Sequence, residues 1–156
     1  MSTKTQFVES LRQAGHRITS QRVAVCEFLA QTRSHPTPSQ VYEAVHSQHP
    51  EISRATVYNT LNTLRDLGAI VEISAGSVHT HYETDTSPHI NLVCLRCGQV
   101  TDFKDELLPN ELTNRIFQST GFRASSLQVQ ATGFCTDCQE NKREEIRKIF
   151  KEKERA

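Results

Sequence analysis

Ser53-Arg54-Ala55-Thr56-Val57-Tyr58-Asn59-Thr60-Leu61-Asn62-Thr63-Leu64 is the stretch on which the fold turns. Val57, Leu61 and Leu64 recur at helical spacing and make one apolar stripe. Ser53 can cap that helix in front, and Gly68 suits the left-handed position that ends it. Directly afterwards the period changes. Ala69-Ile-Val-Glu-Ile-Ser74, a turn at Ala75-Gly76-Ser77, and Val78-His-Thr-His-Tyr-Glu83 read as a β-hairpin. Working back from Ser53, Thr37-Pro38 places a cap before a proline at the first helical position, launching a helix over Gln40–Ser47 with Pro50 beyond its end. Thr19 or Ser20 caps an earlier helix to about Thr32, with Val23, Cys26, Leu29 and Ala30 expected on its buried side. Residues 3–14 carry Phe7, Val8, Leu11 and Ala14 at helical spacing before Gly15. Helix, helix, short helix, helix and hairpin is the order of a winged helix-turn-helix. Such a unit sets its last helix in a DNA major groove with the hairpin alongside.

Beyond the hairpin, Thr84-Asp-Thr-Ser-Pro88 reads as a linker. Short strands are expected at Ile90–Leu95, Gln99–Phe103 and Ser126–Thr132, a helix near Asn110–Ser119 ending at Gly121, and a charged helix from Gln139 to Ala156. The fold class is therefore α+β. The expected division is a winged-helix DNA-binding domain over 1–83, a hinge linker over 84–88, and a small α/β domain over 89–156.

Composition narrows the classes further. With 36% hydrophobic and 23% charged residues the 156-residue chain is that of a folded protein, and disordered or collagen-like readings fall away. No run approaches ~18 apolar residues, and Met1–Arg17 has no apolar signal core, so neither a membrane partner nor secretion is expected, and the location is cytoplasmic. Basic and acidic residues balance at 18 each, so net charge alone points to no polyanion. Residues 1–70 hold a small basic excess, compatible with a few Arg gathered on one face.

Four of the five cysteines form two CxxC pairs, Cys94-Leu-Arg-Cys97 and Cys135-Thr-Asp-Cys138. Two residues between thiols let a tight knuckle aim both sulfurs at one ion, and two knuckles complete a tetrahedral four-thiolate zinc site. Each pair follows an expected strand. Disulfides are disfavoured in a reducing compartment, and a redox CxxC needs no matched copy. The zinc would be structural, closing residues 98–134 into one unit with no open position for substrate. Cys26, on an apolar helix face, reads as core.

Taken together, Arg17-Ile-Thr-Ser-Gln-Arg22, His35-Pro36, Ser53-Arg-Ala-Thr-Val-Tyr58-Asn59 and the paired CxxC motifs resemble the ferric-uptake-regulator (Fur) superfamily across essentially the whole chain. The resemblance implies a homodimeric transcription factor: a winged helix, a C-terminal dimerisation domain with structural zinc, and a second, regulatory metal at the hinge. It implies that Tyr58 touches a thymine methyl or sugar edge and that Asn59 pairs with adenine. Arg54 and Thr56 would hold phosphates or bases, and Arg17 would enter a narrow A·T-rich minor groove. The expected operator is an A/T-rich palindrome.

For the regulatory metal the resemblance implies His35, Glu83, His89 and Asp102, with Asn91 at the position where many members carry a histidine. An imidazole and carboxylate set suits iron(II) or manganese(II), with zinc a third option. His81 shares a strand face with Glu83 and is a further candidate. Glu83 resembles the iron-uptake branch, whereas Asp102 and Val57-Tyr-Asn resemble the peroxide-sensing branch. Pro88 and Ile90 cannot supply the family's additional His-rich site. The expected function is a metal-dependent repressor sensing peroxide through oxidation of His35 or His89, with an iron-uptake or other metal-homeostasis repressor as the alternative. A metallohydrolase built on His79, His81 and Glu83 lacks any HExxH-type signature. A zinc-stapled protein-interaction module is the remaining competitor, separable by salt-dependent operator binding.

Overall fold

Every helix start that the sequence marks with a hydroxyl is capped as expected. In the computed structural model the N-terminal elements are α1 (Thr3–Gln13), α2 (Ser20–Gln31), α3 (Pro38–Gln48), α4 (Arg54–Asp66), β1 (Val71–Ala75) and β2 (His79–Glu83). The Thr19 hydroxyl accepts the Arg22 N–H at 3.3 Å and opens α2. Thr37 and Gln40 form a reciprocal capping box at α3, the Gln40 side chain accepting the Thr37 N–H at 2.8 Å. Ser53 accepts the Thr56 N–H at 3.2 Å and opens α4. The structure describes residues 3–75, 79–85, 89–104, 107–124 and 127–142. The chain divides into two compact units, Met1–Ser87 and Pro88–Ala156.

The first unit has one continuous core: Phe7 and Leu11 of α1, Val25, Cys26 and Leu29 of α2, Val41 and Val45 of α3, Val57, Leu61 and Leu64 of α4, closed by Ile52, Ile70 and Tyr82. One expectation fails here. Val25, not Val23, is fully enclosed, and Val23 and Ala30 are only half-buried. Both faces of α2 carry apolar residues, so packing against α1, α3 and α4, rather than periodicity, selects the inner one. The hairpin is antiparallel, with Val71 opposite Glu83 and Ile73 opposite His81. The turn expected at 75–77 starts one residue later than that, because Ala75 still pairs with His79 as the last residue of β1; residues 76–78 lie outside the described residues.

The second unit contains β3 (Ile90–Cys94), β4 (Val100–Phe103), α5 (Leu107–Thr120) and β5 (Val129–Gly133). Its sheet runs β4-β3-β5, antiparallel between β3 and β4 and parallel between β3 and β5. Parallel neighbours need a long crossover, which contains α5. That helix starts before Pro109, which stands in the first turn where a missing N–H breaks no intrahelical bond. Residues 136–142 are helical, and the rest of the expected charged tail helix lies outside the described residues. Among the described residues no helix is long and apolar enough to cross a membrane.

Candidate metal centres and nucleic-acid interface

The two CxxC knuckles meet because β3 and β5 are parallel neighbours in register, Cys94 opposite Gly133. The first cysteine pair therefore begins where β3 ends, and the second begins two residues past the end of β5. The four sulfurs lie within 4.8 Å of one another, and Cys97 Sγ is 3.8 Å from Cys135 Sγ. Four thiolates each ~2.3 Å from one ion sit about 3.8 Å apart at tetrahedral angles, so the cluster is compatible with a zinc site. The Cys135 N–H donates to Cys94 Sγ at 3.3 Å. The backbone N–H of Cys97, with that of Cys135, holds the Cys94 thiol down at about 6. Cys138 is pushed the other way, to about 12, by its hydrogen bond with Cys135 and by burial. Arg96 Nη1 donates to the Cys138 carbonyl at 3.3 Å and ties the knuckles together. Nothing in the local sequence marks that bond, because its acceptor is 42 residues away. Cys26 belongs to the first unit's core, and burial pushes its thiol up to about 11, as befits an inert core residue.

In the first unit, His35 lies in the connection between α2 and α3 and is latched to the wing. The Tyr82 N–H donates to the Pro36 carbonyl at 2.9 Å, and His81 Nδ1 donates to the His35 carbonyl at 2.7 Å. That latch brings His35 Nε2 against Glu83 Oε2, both side chains being 7% exposed. The other Glu83 oxygen accepts the Asp85 N–H at 2.6 Å. His81 thus serves the backbone of His35 through Nδ1, which leaves the lone pair of a neutral ring on Nε2.

In the second unit, His89 immediately precedes β3, Asn91 is the second residue of that strand, and Asp102 of β4 stands opposite Asn91. His89 Nε2 is 3.9 Å from Asp102 Oδ1. His89 and Asn91 are both buried. The Asn91 amide oxygen has no hydrogen-bond partner among the described residues. A buried acceptor oxygen beside a carboxylate is a pair that a cation would satisfy. The residues of both units thus fit the hard-oxygen and imidazole chemistry of a divalent ion.

Along α4, Arg54 is exposed in the first turn with its guanidinium 4.6 Å above the Tyr42 ring, a tertiary contact with no signature in the sequence. The Thr56 hydroxyl sits 2.9 Å from that of Ser53. Tyr58 is half-buried against the core, while Asn59 is exposed. Arg17 is exposed in the α1–α2 connection. A cleft of about 390 Å³ has Arg17 and Arg22 among its lining residues, with Thr56 and Asn59 of α4 also contributing.

The model of the ferric uptake regulator family matches residues 13–132. A peroxide-responsive repressor, PerR, of Staphylococcus aureus is 35% identical over 135 residues, 86% of this chain and 90% of that protein. The structure of PerR from Streptococcus pyogenes, described as a basis for peroxide sensing and gene regulation, is 31% identical with a TM-score of 0.50 over 88% of this chain and 94% of that one. The ferric uptake regulator of Helicobacter pylori shares the fold, with a TM-score of 0.72 at 22% identity over 88% and 92% of the two chains. From the helix caps to the paired knuckles, and by direct similarity over most of its length, the chain belongs to the ferric uptake regulator family.

Proposed function

We propose that this chain is a homodimeric, metal-responsive repressor that binds a double-stranded, A/T-rich palindromic operator through its winged-helix unit and responds to peroxide. One observation carries the reading. Each unit holds its own incomplete ligand set, His35 with Glu83 in the first and His89 with Asn91 and Asp102 in the second. Neither set alone saturates a divalent ion.

Iron(II), manganese(II) or zinc would supply the positive charge that holds both sets together. The chain's own residues do the rest. Glu83 ends the wing strand, and its neighbour Tyr82 is part of the core on which α4 packs. A constraint on Glu83 is therefore felt by the element that reads DNA. In the absence of that constraint the spacing of two winged units in a dimer is unrestricted, and metal selects the spacing that fits two half-sites. Cys94, Cys97, Cys135 and Cys138 would hold a structural zinc. Leu92, Leu95 and Phe103 leave much apolar surface in solvent, a face suited to a second copy. Arg17, Arg54, Thr56, Tyr58 and Asn59 would meet the operator. The similarity to peroxide-responsive repressors supports peroxide as the signal.

Operator affinity measured with iron(II), manganese(II) and zinc, each with and without peroxide, tests the reading. Metal should raise affinity about 5–150-fold, the range of a 1–3 kcal/mol coupling. Iron with peroxide should then lower it, with His35 or His89 gaining one oxygen by intact-protein mass spectrometry. Equal affinity under all conditions sinks the proposal. Metal dependence without that oxygen leaves an iron or manganese homeostasis repressor.

A further inference from the structure

Arg17 and Arg22 lie in one cleft, yet they are not equivalent. Arg17 belongs to the short connection between α1 and α2, whose two ends are fixed by backbone geometry. Gly15 takes φ +78°, a region other residues avoid. The His16 N–H then donates to the Leu11 carbonyl at 3.0 Å, closing α1. On the far side Thr19 caps α2 through the Arg22 N–H. Between these ends, the Arg17 carbonyl accepts a hydrogen bond from Arg22 Nη1 at 3.1 Å. The residue expected to enter the minor groove is thus held at its backbone by a second guanidinium in the first turn of α2.

The surrounding charge points the same way. The cleft is lined by Gly15, His16, Arg17, Thr19, Gln21, Arg22, Thr56 and Asn59, with no carboxylate among them. Among the described residues neither Arg17 nor Arg22 has an ion pair. With no acid beside either one among the described residues, the charge stays available to a polyanion. A guanidinium has five N–H donors in a rigid fork, so one can hold the Arg17 carbonyl while the charge stays open to solvent.

We infer that Arg22 is a positioning residue for DNA recognition: it holds the Arg17 backbone so that the Arg17 side chain is presented beside Thr56 and Asn59 of the reading helix. The inference rests on the DNA-binding reading proposed above. An alternative role, an independent phosphate contact by Arg22, makes the opposite prediction about coupling.

The test is a double-mutant cycle in the full-length, metal-loaded protein, with Arg17→Ala, Arg22→Met and the double variant titrated against an A/T-rich operator over a range of salt concentrations. Arg22→Met should weaken binding about tenfold and relax the preference for A·T pairs at the positions Arg17 reads. The double variant should be no more than about twofold weaker than Arg17→Ala alone, because the role of Arg22 vanishes with Arg17. Amide hydrogen exchange at residues 16–18 of the free protein should accelerate in Arg22→Met and stay unchanged in Arg17→Ala, with the thermal transition retained in both. Additive losses, together with a salt slope reduced by about one in Arg22→Met, overturn the inference and make Arg22 a separate phosphate contact. Absence of operator binding by the unmodified protein removes the DNA-binding reading itself, whereas additivity in a protein that binds removes only the role of Arg22.

Discussion

Leu61 and Leu64 of α4 are fully enclosed, whereas Leu92, midway along the central strand of the second unit's sheet, keeps 40% of its surface in solvent. Phe103, Phe117, Phe122 and Phe134 of that unit are exposed to a similar degree or more. The first unit closes a core from four helices and a hairpin. Among the described residues the second has a three-stranded sheet, the helix α5 and four clustered thiols. Burial of apolar surface stabilises the first on its own. In the second, a metal held by the knuckles would add the stability that a small core supplies only in part.

The largest effect should come from breaking the knuckles. Zinc chelation or Cys97→Ser removes binding energy that in small zinc domains is ~10–16 kcal/mol. Circular dichroism and sedimentation should then show the second unit unfolding and the dimer dissociating while the helical unit keeps its transition. A single unaltered transition would refute the comparison. Zinc uptake near neutral pH should also release fewer than four protons, because Cys94 is already a thiolate above about 6 while Cys138 keeps its proton up to about 12. Release should rise as pH falls through 6, since Cys94 must then also be stripped of a proton. Calorimetry in buffers of different ionisation heat reads that count.

Next in size, Leu61→Ala should cost about 2–5 kcal/mol in the first unit's transition. Leu92→Ala should leave the stability of its own unit nearly unchanged and weaken dimerisation, as seen by sedimentation. Glu83→Ala should erase the metal-induced gain in operator affinity, a loss of about 1–3 kcal/mol of coupling, without altering metal-free binding in the same titration. Asn91→His replaces a hard amide oxygen with an imidazole and should shift preference from manganese toward zinc by about tenfold, measured by competition with a chromophoric chelator. The smallest effect belongs to Thr37→Ala. Loss of the capping box should lower the first unit's stability by about 1 kcal/mol in a urea titration, with operator contacts intact.

Much of this was legible in the sequence because the signals are local. Caps at Thr19, Thr37 and Ser53, the left-handed positions after α1 and α4, and the spacing inside each CxxC pair all depend on residues within a few positions of one another. The inner face of α2 was not legible, because Val23 and Val25 have equal hydrophobicity and only the neighbouring helices choose between them. For the candidate metal ligands, sequence supplied residue types through resemblance, while the latch of His35 to the wing needed Tyr82 and His81 to be brought to it.

Short-range backbone geometry already specifies the described elements and the pairing of sulfurs within each knuckle, so neighbouring residues suffice to read both. Tertiary structure alone decided that the two knuckles face one another across parallel strands, that Arg22 grips the Arg17 backbone and that Arg54 lies over Tyr42. Those contacts join residues whose separation in the chain carries no periodic signal, and they exist only once apolar burial has brought the helices and strands together.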